Sequence, residues 1–261
     1  MTLRTKNFSS QSFWDARFET EECFEWLADT PLLTDKCASA LSLPLRGARA
    51  DPTSTRVLHI GCGTSRLANA LRLKLCASED GGVGMAACDI VNLDYSSRAV
   101  ERGEKAEEAQ FGDVQMAWVV ANLLDWDSLH GCLAEGALFR IILDKSTADA
   151  ISCGANVTVS INSQQVDVEP VAALALHMAR VAEPGAAWIV LSYSKSRFDF
   201  LNDEGDHAGT SAFAKCSITK LWKLVEQVDV KVEDSAEKKD FVHAPEVFHS
   251  LMVLERTDFH I

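Results

Sequence analysis

Short apolar, β-branched runs alternate along the chain with stretches of helical spacing. Val57-Leu58-His59-Ile60 stops at Gly61, and residues 65–73 follow with Leu67 and Leu71 on one helical face, which predicts a strand, a glycine turn and a helix. Asp89-Ile90-Val91-Asn92-Leu93 predicts a second strand, ending at Asp94, with Tyr95-Ser96-Ser97 opening the next helix. Residues 116–120 predict a third strand. Phe139-Arg140-Ile141-Ile142-Leu143 predicts a fourth, stopped by the charged pair Asp144-Lys145. Helical spacing over 171–181 ends at the turn Glu183-Pro184-Gly185, and residues 188–191 give a fifth strand. The runs 228–232 and 250–254 close the chain with no clear helix between them.

Alternation followed by a closing strand pair predicts an α/β fold: a mainly parallel sheet, helices on both faces, and an antiparallel pair at one edge. Residues 78–84 and 154–165 lengthen two connections and are expected to be surface loops. The glycines at 81, 82 and 84 precede a strand, whereas a phosphate cradle has to follow one, so they read as loop glycines.

Composition narrows the class of partner. Across 261 residues, 25 Lys and Arg stand against 38 Asp and Glu, a net charge of −13 with no basic arm or tail. Phosphate binding loses its electrostatic driving force, so neither nucleic acid nor an anionic membrane is expected as partner, while a basic protein is favoured. The eight cysteines form no CxxC pair and no Cys/His cluster of zinc spacing, so no metal is expected. With no membrane span or secretory leader in sight, a cytoplasmic protein is expected.

The candidate chemistry lies at the carboxyl ends of the strands. In Gly61-Cys62-Gly63 two glycines allow a tight turn and close approach of a ligand to the backbone, although a ligand-free turn reads equally well from this feature alone. Asp94 ends the second strand, where a carboxylate accepts hydrogen bonds from a ribose diol, and this favours a nucleoside-containing cofactor. A dinucleotide fingerprint needs a third small residue where Arg66 stands, whereas S-adenosylmethionine has no pyrophosphate and does not need it. The terminal antiparallel pair agrees with the seven-stranded arrangement of class I methyltransferases.

A resemblance then emerges from several blocks in order: Phe13-Trp14-Asp15-Ala16-Arg17-Phe18, Phe24-Glu25-Trp26, residues 58–65, Asn92-Leu93-Asp94-Tyr95-Ser96-Ser97, and Leu143-Asp144-Lys145-Ser146-Thr147-Ala148-Asp149-Ala150. Over about residues 8–256 the chain resembles a eukaryotic methyltransferase-like group that includes lysine methyltransferases of translation elongation factor 1-alpha. The resemblance implies a Rossmann-like seven-stranded domain over 51–261 preceded by a helical lid segment over 1–50. It implies S-adenosyl-L-methionine as cofactor, with Gly61 and Gly63 at its methionine part, Asp94 on the ribose hydroxyls and Tyr95 along the adenine. Asn122 and Leu123 would stand at the adenine, where the family has an Asp, and Trp14, Phe18 and Trp26 would close over the cofactor. Asp144, the catalytic candidate, and Lys145 would face the transferred methyl group. His59 and Ser146 depart from common residues of such enzymes, Ser146 standing where Gly is usual.

Several of these features also have plainer readings. Trp14 and Phe18, four apart, share a helical face and could simply pack on the sheet. The charged run 101–108 reads as a solvated helix face, and His59 and His177 read as core histidines. Methyl transfer from an activated sulfonium asks chiefly for alignment of the acceptor and exclusion of water. A lysine acceptor has to shed a proton, which desolvation at the pocket mouth assists. The acceptor implied by the resemblance is a protein lysine, of elongation factor 1-alpha or a similar basic protein. A small-molecule N- or O-acceptor, or a catalytically weak cofactor-binding module, are the alternatives.

Overall fold

The computed structural model describes residues 7–27, 30–43, 55–76, 84–133, 136, 138–202, 217–232 and 246–260. The expected loop at 78–84 therefore lies, apart from Gly84, outside the described residues.

Two helices come first. In α1 (Gln11–Thr20), Trp14 and Phe18 form the buried face; in α2 (Thr30–Ser42), Leu33, Cys37 and Leu41 repeat every four residues on the buried side. The alternating part follows as β1 (Val57–Ile60), α3 (Leu67–Cys76), β2 (Ile90–Asp94), α4 (Ser97–Phe111), β3 (Ala117–Val120), α5 (Trp126–Cys132), β4 (Phe139–Lys145) and α6 (Thr147–Ile151). A hairpin of β5 (Val157–Ile161) and β6 (Gln164–Val168) precedes α7 (Pro170–Val181), whose first residue is a proline with no N–H to waste, and β7 (Ala182–Ser192). The chain closes with β8 (Trp222–Lys231) and β9 (Phe248–Arg256).

Seven strands form one sheet in the order β3-β2-β1-β4-β7-β9-β8, with β1, β2, β3, β4 and β7 parallel and β9 antiparallel to both β7 and β8. This is the mainly parallel sheet with an antiparallel edge pair expected from the alternation, in the Rossmann-like form that the resemblance implies. Successive side chains of a strand point to opposite faces. Leu58, Ile60, Ile142, Trp188, Val190, Met252 and Leu254 thus enter the core beneath α7, while Val57, Ile141, Leu143, Ile189, Leu191, Leu251 and Val253 enter the core beneath α2 and α3. Apolar residues on both faces explain why these strands read as continuous hydrophobic runs rather than as alternations.

The structure corrects four expectations. Residues 154–165 are not a plain loop: 157–168 form the β5–β6 hairpin, its alternating Val157, Val159, Ile161 and Val166, Val168 turned toward α7, with Asn162 and Ser163 at φ 47° and 65°. Those paired positive φ values fit a tight two-residue hairpin turn, and Asn is among the few residues that tolerate them. Glu183-Pro184-Gly185 does not end a helix ahead of a separate strand; it is an irregularity inside β7, where Phe139 faces Ala182 but Ile141 already faces Ala187. The closing strands are longer than the apolar runs marked. Within the run 101–108, Glu107 is fully buried, since Arg72 Nη1 at 2.6 Å, the backbone N–H groups of Gln115 and Met116 and the indole of Trp118 at 2.7 Å all donate to it.

Candidate active site

The chain runs outward from β1 through β2 to β3, then returns to lay β4 on the other side of β1. Ligands of open parallel sheets bind at the carboxyl ends of strands beside such a reversal. A cavity of about 290 Å³ lies there, lined from β1 by His59 and the turn 61–65, from β2 by Asp94 and Tyr95, from the segment after β3 by 121–124, and from β4 by Lys145. Its remaining wall comes from Ser146 and α6, through Thr147, Ala150 and Ile151, and from the N-terminal segment, including Phe8, Trp14, Phe18, Phe24 and Trp26.

The glycine turn is fixed by its neighbours. Gly61 has φ +56°, and a Cβ on it would fall 2.2 Å from Thr147 Oγ1, so the β1 turn and the start of α6 approach as closely as they do only because Gly61 has no side chain. Gly63, at φ +51°, donates its N–H to Asp94 Oδ2 at 2.9 Å, and Ser96 N–H donates to Asp94 Oδ1 at 2.9 Å. Asp94 is buried; the loss of solvent pushes its carboxyl up to about 6 although these N–H groups favour the anion. Burial likewise brings His59 down to about 4, so its ring is neutral at pH 7, and its Nδ1 pairs with Asn92 Oδ1 at 3.0 Å. His59 is thus a buried histidine in the cavity floor. His177 is buried as well, its Nδ1 2.8 Å from the carbonyl of Leu123, which lines the cavity.

Trp14, Phe18, Phe24 and Trp26 form one contiguous aromatic cluster: Trp14 stacks on Phe18 at 5.7 Å, and Trp26 lies 5.3 Å from Trp14 and 5.5 Å from Phe24. Trp14 and Phe18 are therefore packed residues and cavity-lining residues at once. Trp26 carries a buried indole N–H with no acceptor among the described residues, a donor open to a bound group.

Gly61, Gly63, Asp94, Tyr95, Asn122, Leu123, Lys145, Trp14, Phe18 and Trp26, all expected at the site, do meet around this cavity. Asp144 does not. It is fully buried and takes the N–H groups of Thr147 at 2.8 Å and Ala148 at 3.2 Å, so its carboxylate is spent on the first turn of α6 and does not line the cavity. Its position at a strand end was correctly read, but successive residues of β4 alternate in direction, and it is Lys145 that turns into the pocket. Ser146 sits at φ +65°, in the left-handed region that favours glycine.

Phe8, Phe24, Ser65, Thr147 and Glu25 contribute as well and were not among the expected site residues. Glu25 lay within the quoted Phe24-Glu25-Trp26 block, and an acid flanked by two aromatics was the available signal. Among the described residues, no group of three or more His, Cys, Asp or Glu side chains could hold a metal ion. Also among the described residues, no helix is long and apolar enough to cross a membrane.

The sheet order is the Rossmann-like, seven-stranded one of class I methyltransferases, and the pocket lies at its reversal point. A glycine turn after β1, an acid after β2 and an aromatic wall suit an adenosyl sulfonium, and no pyrophosphate-binding third glycine is present. The chain belongs to the methyltransferase family represented by methyltransferase srdJ of Neurospora crassa, with which it shares 32% identity over 193 residues, 74% of this chain and 70% of that protein. No protein-family model matches the chain. Among solved structures it is similar to the N-methyltransferase NodS from Bradyrhizobium japonicum WM9 in complex with S-adenosyl-l-homocysteine (14% identity, 94% of this chain and 98% of that one, TM-score 0.49). Another is the magnesium protoporphyrin IX methyltransferase of Synechocystis PCC 6803 with bound SAM (12% identity, 96% and 93%, TM-score 0.41).

Proposed function

We propose that this methyltransferase acts on the side-chain amine of a lysine in a basic protein, elongation factor 1-alpha or one like it, in the cytoplasm. In this reading the glycine turn receives the methionine part of the cofactor, Asp94 the ribose hydroxyls, Tyr95 and the Asn122-Leu123 segment the adenine. Lys145, beside Ser65 and the first turn of α3, serves the cofactor's carboxylate, since a helix N-terminus adds positive potential to that of the ammonium. The N-terminal segment serves as the lid, through Trp14, Phe18 and Trp26. The cofactor supplies the methyl group; the protein aligns the acceptor and keeps water out.

The observation that carries the reading is the aromatic wall formed by Phe8, Trp14, Phe18, Phe24 and Trp26. An amine entering past these rings is desolvated, which lowers its pKa toward the neutral, nucleophilic form, while ring faces still attract a cationic ligand. With Asp144 engaged by α6, no proton transfer is assigned to it, and the amine proton passes to solvent. The charge of −13 supports a basic protein as the acceptor.

A small-molecule acceptor is the second reading, and one contact favours it. The loop leading into the β5–β6 hairpin packs on the cavity rim, since a Cβ on Gly154 would lie 3.3 Å from Cβ of the lining residue Ser9. Incubation with radiolabelled S-adenosylmethionine and cell extract separates the two. Label on a protein band, reproduced on purified elongation factor 1-alpha with kcat/KM that falls as salt rises, supports the first; label in the small-molecule fraction supports the second.

A further inference from the structure

The buried ammonium of Lys145 is held from behind by a residue of the N-terminal segment. Its Nζ donates to a Glu25 carboxylate oxygen and, at 2.8 Å, to Ser65 Oγ. Glu25 also accepts from the backbone N–H of Arg66 at 2.7 Å and from Ser65 Oγ at 3.0 Å. One carboxylate therefore ties together the first turn of α3, the end of β4 and the strip that carries Phe24 and Trp26. Glu25 itself does not line the cavity, whereas both of its aromatic neighbours, Ser65 and Lys145 do.

We propose that Glu25 is the positioning residue of the cofactor site, fixing the Lys145 ammonium toward the amino-acid end of the bound cofactor. The proposal rests on the reading of this cavity as the cofactor pocket. An ammonium carries three N–H donors, and Glu25 and Ser65 take two of them, which leaves one for the carboxylate of the ligand. Without a counter-ion, a lysine whose side chain is only 4% exposed would lose its charge or swing to solvent. Glu25 remains ionised in this role: burial opposes its charge, but the Lys145 ammonium together with the Arg66 N–H and the Ser65 hydroxyl holds its carboxyl below the ordinary range.

Two probes isolate the effect by calorimetry. S-adenosylhomocysteine carries the amino-acid end, and 5′-methylthioadenosine keeps the nucleoside but lacks that end. Glu25→Gln should weaken S-adenosylhomocysteine about tenfold or more and leave 5′-methylthioadenosine within about twofold, the second probe also reporting that the pocket is folded. Lys145→Met should give the same pattern, and the double variant should be no weaker than Lys145→Met alone, because Glu25 acts through Lys145. Equal loss of both probes would reduce Glu25 to a structural ion pair and overturn the proposal. Unchanged or tighter S-adenosylhomocysteine binding, the latter expected if Glu25 competed with the ligand for Lys145, would overturn it too. Failure of the unaltered protein to bind S-adenosylhomocysteine would instead remove the reading of the pocket on which the proposal stands.

Discussion

Gly61 and Thr147 meet across the reversal point of the sheet: Thr147 Oγ1 donates to the Ile60 carbonyl at 2.9 Å and occupies the space that a Cβ on Gly61 would need. The contact joins the β1 turn to the first turn of α6, and so sets the width of the crevice in which the cavity lies.

Gly61→Ala should therefore be costly twice over, through a side chain at positive φ and through overlap with Thr147. A loss of about 2–4 kcal/mol is expected in urea unfolding. Adding Thr147→Ala should recover the part of the loss due to Oγ1 and Cγ2, while the overlap with the Thr147 Cβ at 2.9 Å and the conformational part remain. No recovery in the double variant would mean that Oγ1 and Cγ2 contribute little to the loss.

Asp94 is expected to show its role in a pH profile. Burial raises its carboxyl to about 6 in the free pocket, and under the proposed function a ribose hydroxyl donates to the ionised form. S-adenosylhomocysteine affinity should fall as pH drops from 7.5 to 5. Asp94→Asn should lose about 1.5–3 kcal/mol of binding at pH 7.5 and respond little to pH over that range. A wild-type affinity that is flat from pH 7.5 to 5 would separate Asp94 from the ribose.

Asp144 should show itself in stability rather than in cofactor binding. Burial first, then the charge of Asp149, raises its carboxyl from 3.8 to about 7 in the folded protein. Folding thus favours its protonated form. That contribution is complete below about pH 4 and disappears as pH rises through 7. Relative to Asp144→Asn, the wild type should gain stability on moving from pH 7.5 to 5. Asp144→Ala, which strips the first turn of α6 of its acceptor, should cost about 0.5–2 kcal/mol. Urea midpoints at the two pH values measure both.

Glu107 provides a contrast remote from the cavity. With Glu107→Ala, Arg72 loses a buried partner, and two backbone N–H groups and the Trp118 indole lose their acceptor. A destabilisation of about 3–5 kcal/mol is expected. In variant molecules that remain folded, S-adenosylhomocysteine affinity should be unchanged, since no Glu107 atom lines the cavity. A large loss of affinity would show that the α3–α4 buttress reaches the pocket.

The sequence alone carried the order of the seven sheet strands along the chain, because each buried strand needs an apolar run whatever lies next to it. It determined that Gly61, Gly63, Asp94 and Lys145 stand at strand ends, and hence that they gather at one edge of a parallel sheet. The hairpin at 157–168 was read as a loop, because its alternation about Asn162-Ser163 is short and only packing against α7 settles it as paired strands. What only the tertiary structure decided is the direction of each side chain at those ends and its partner. Asp144 and Lys145 are adjacent in sequence, yet one carboxylate caps α6 while the neighbouring ammonium enters the pocket and meets Glu25, 120 positions earlier in the chain. Glu107 looks like any solvated acid in its run until Arg72 and Trp118 converge on it. Pairings of this kind join segments far apart in the chain, so no local pattern encodes them; they arise when packing removes water from a charge and leaves it whichever partner the fold brings within reach.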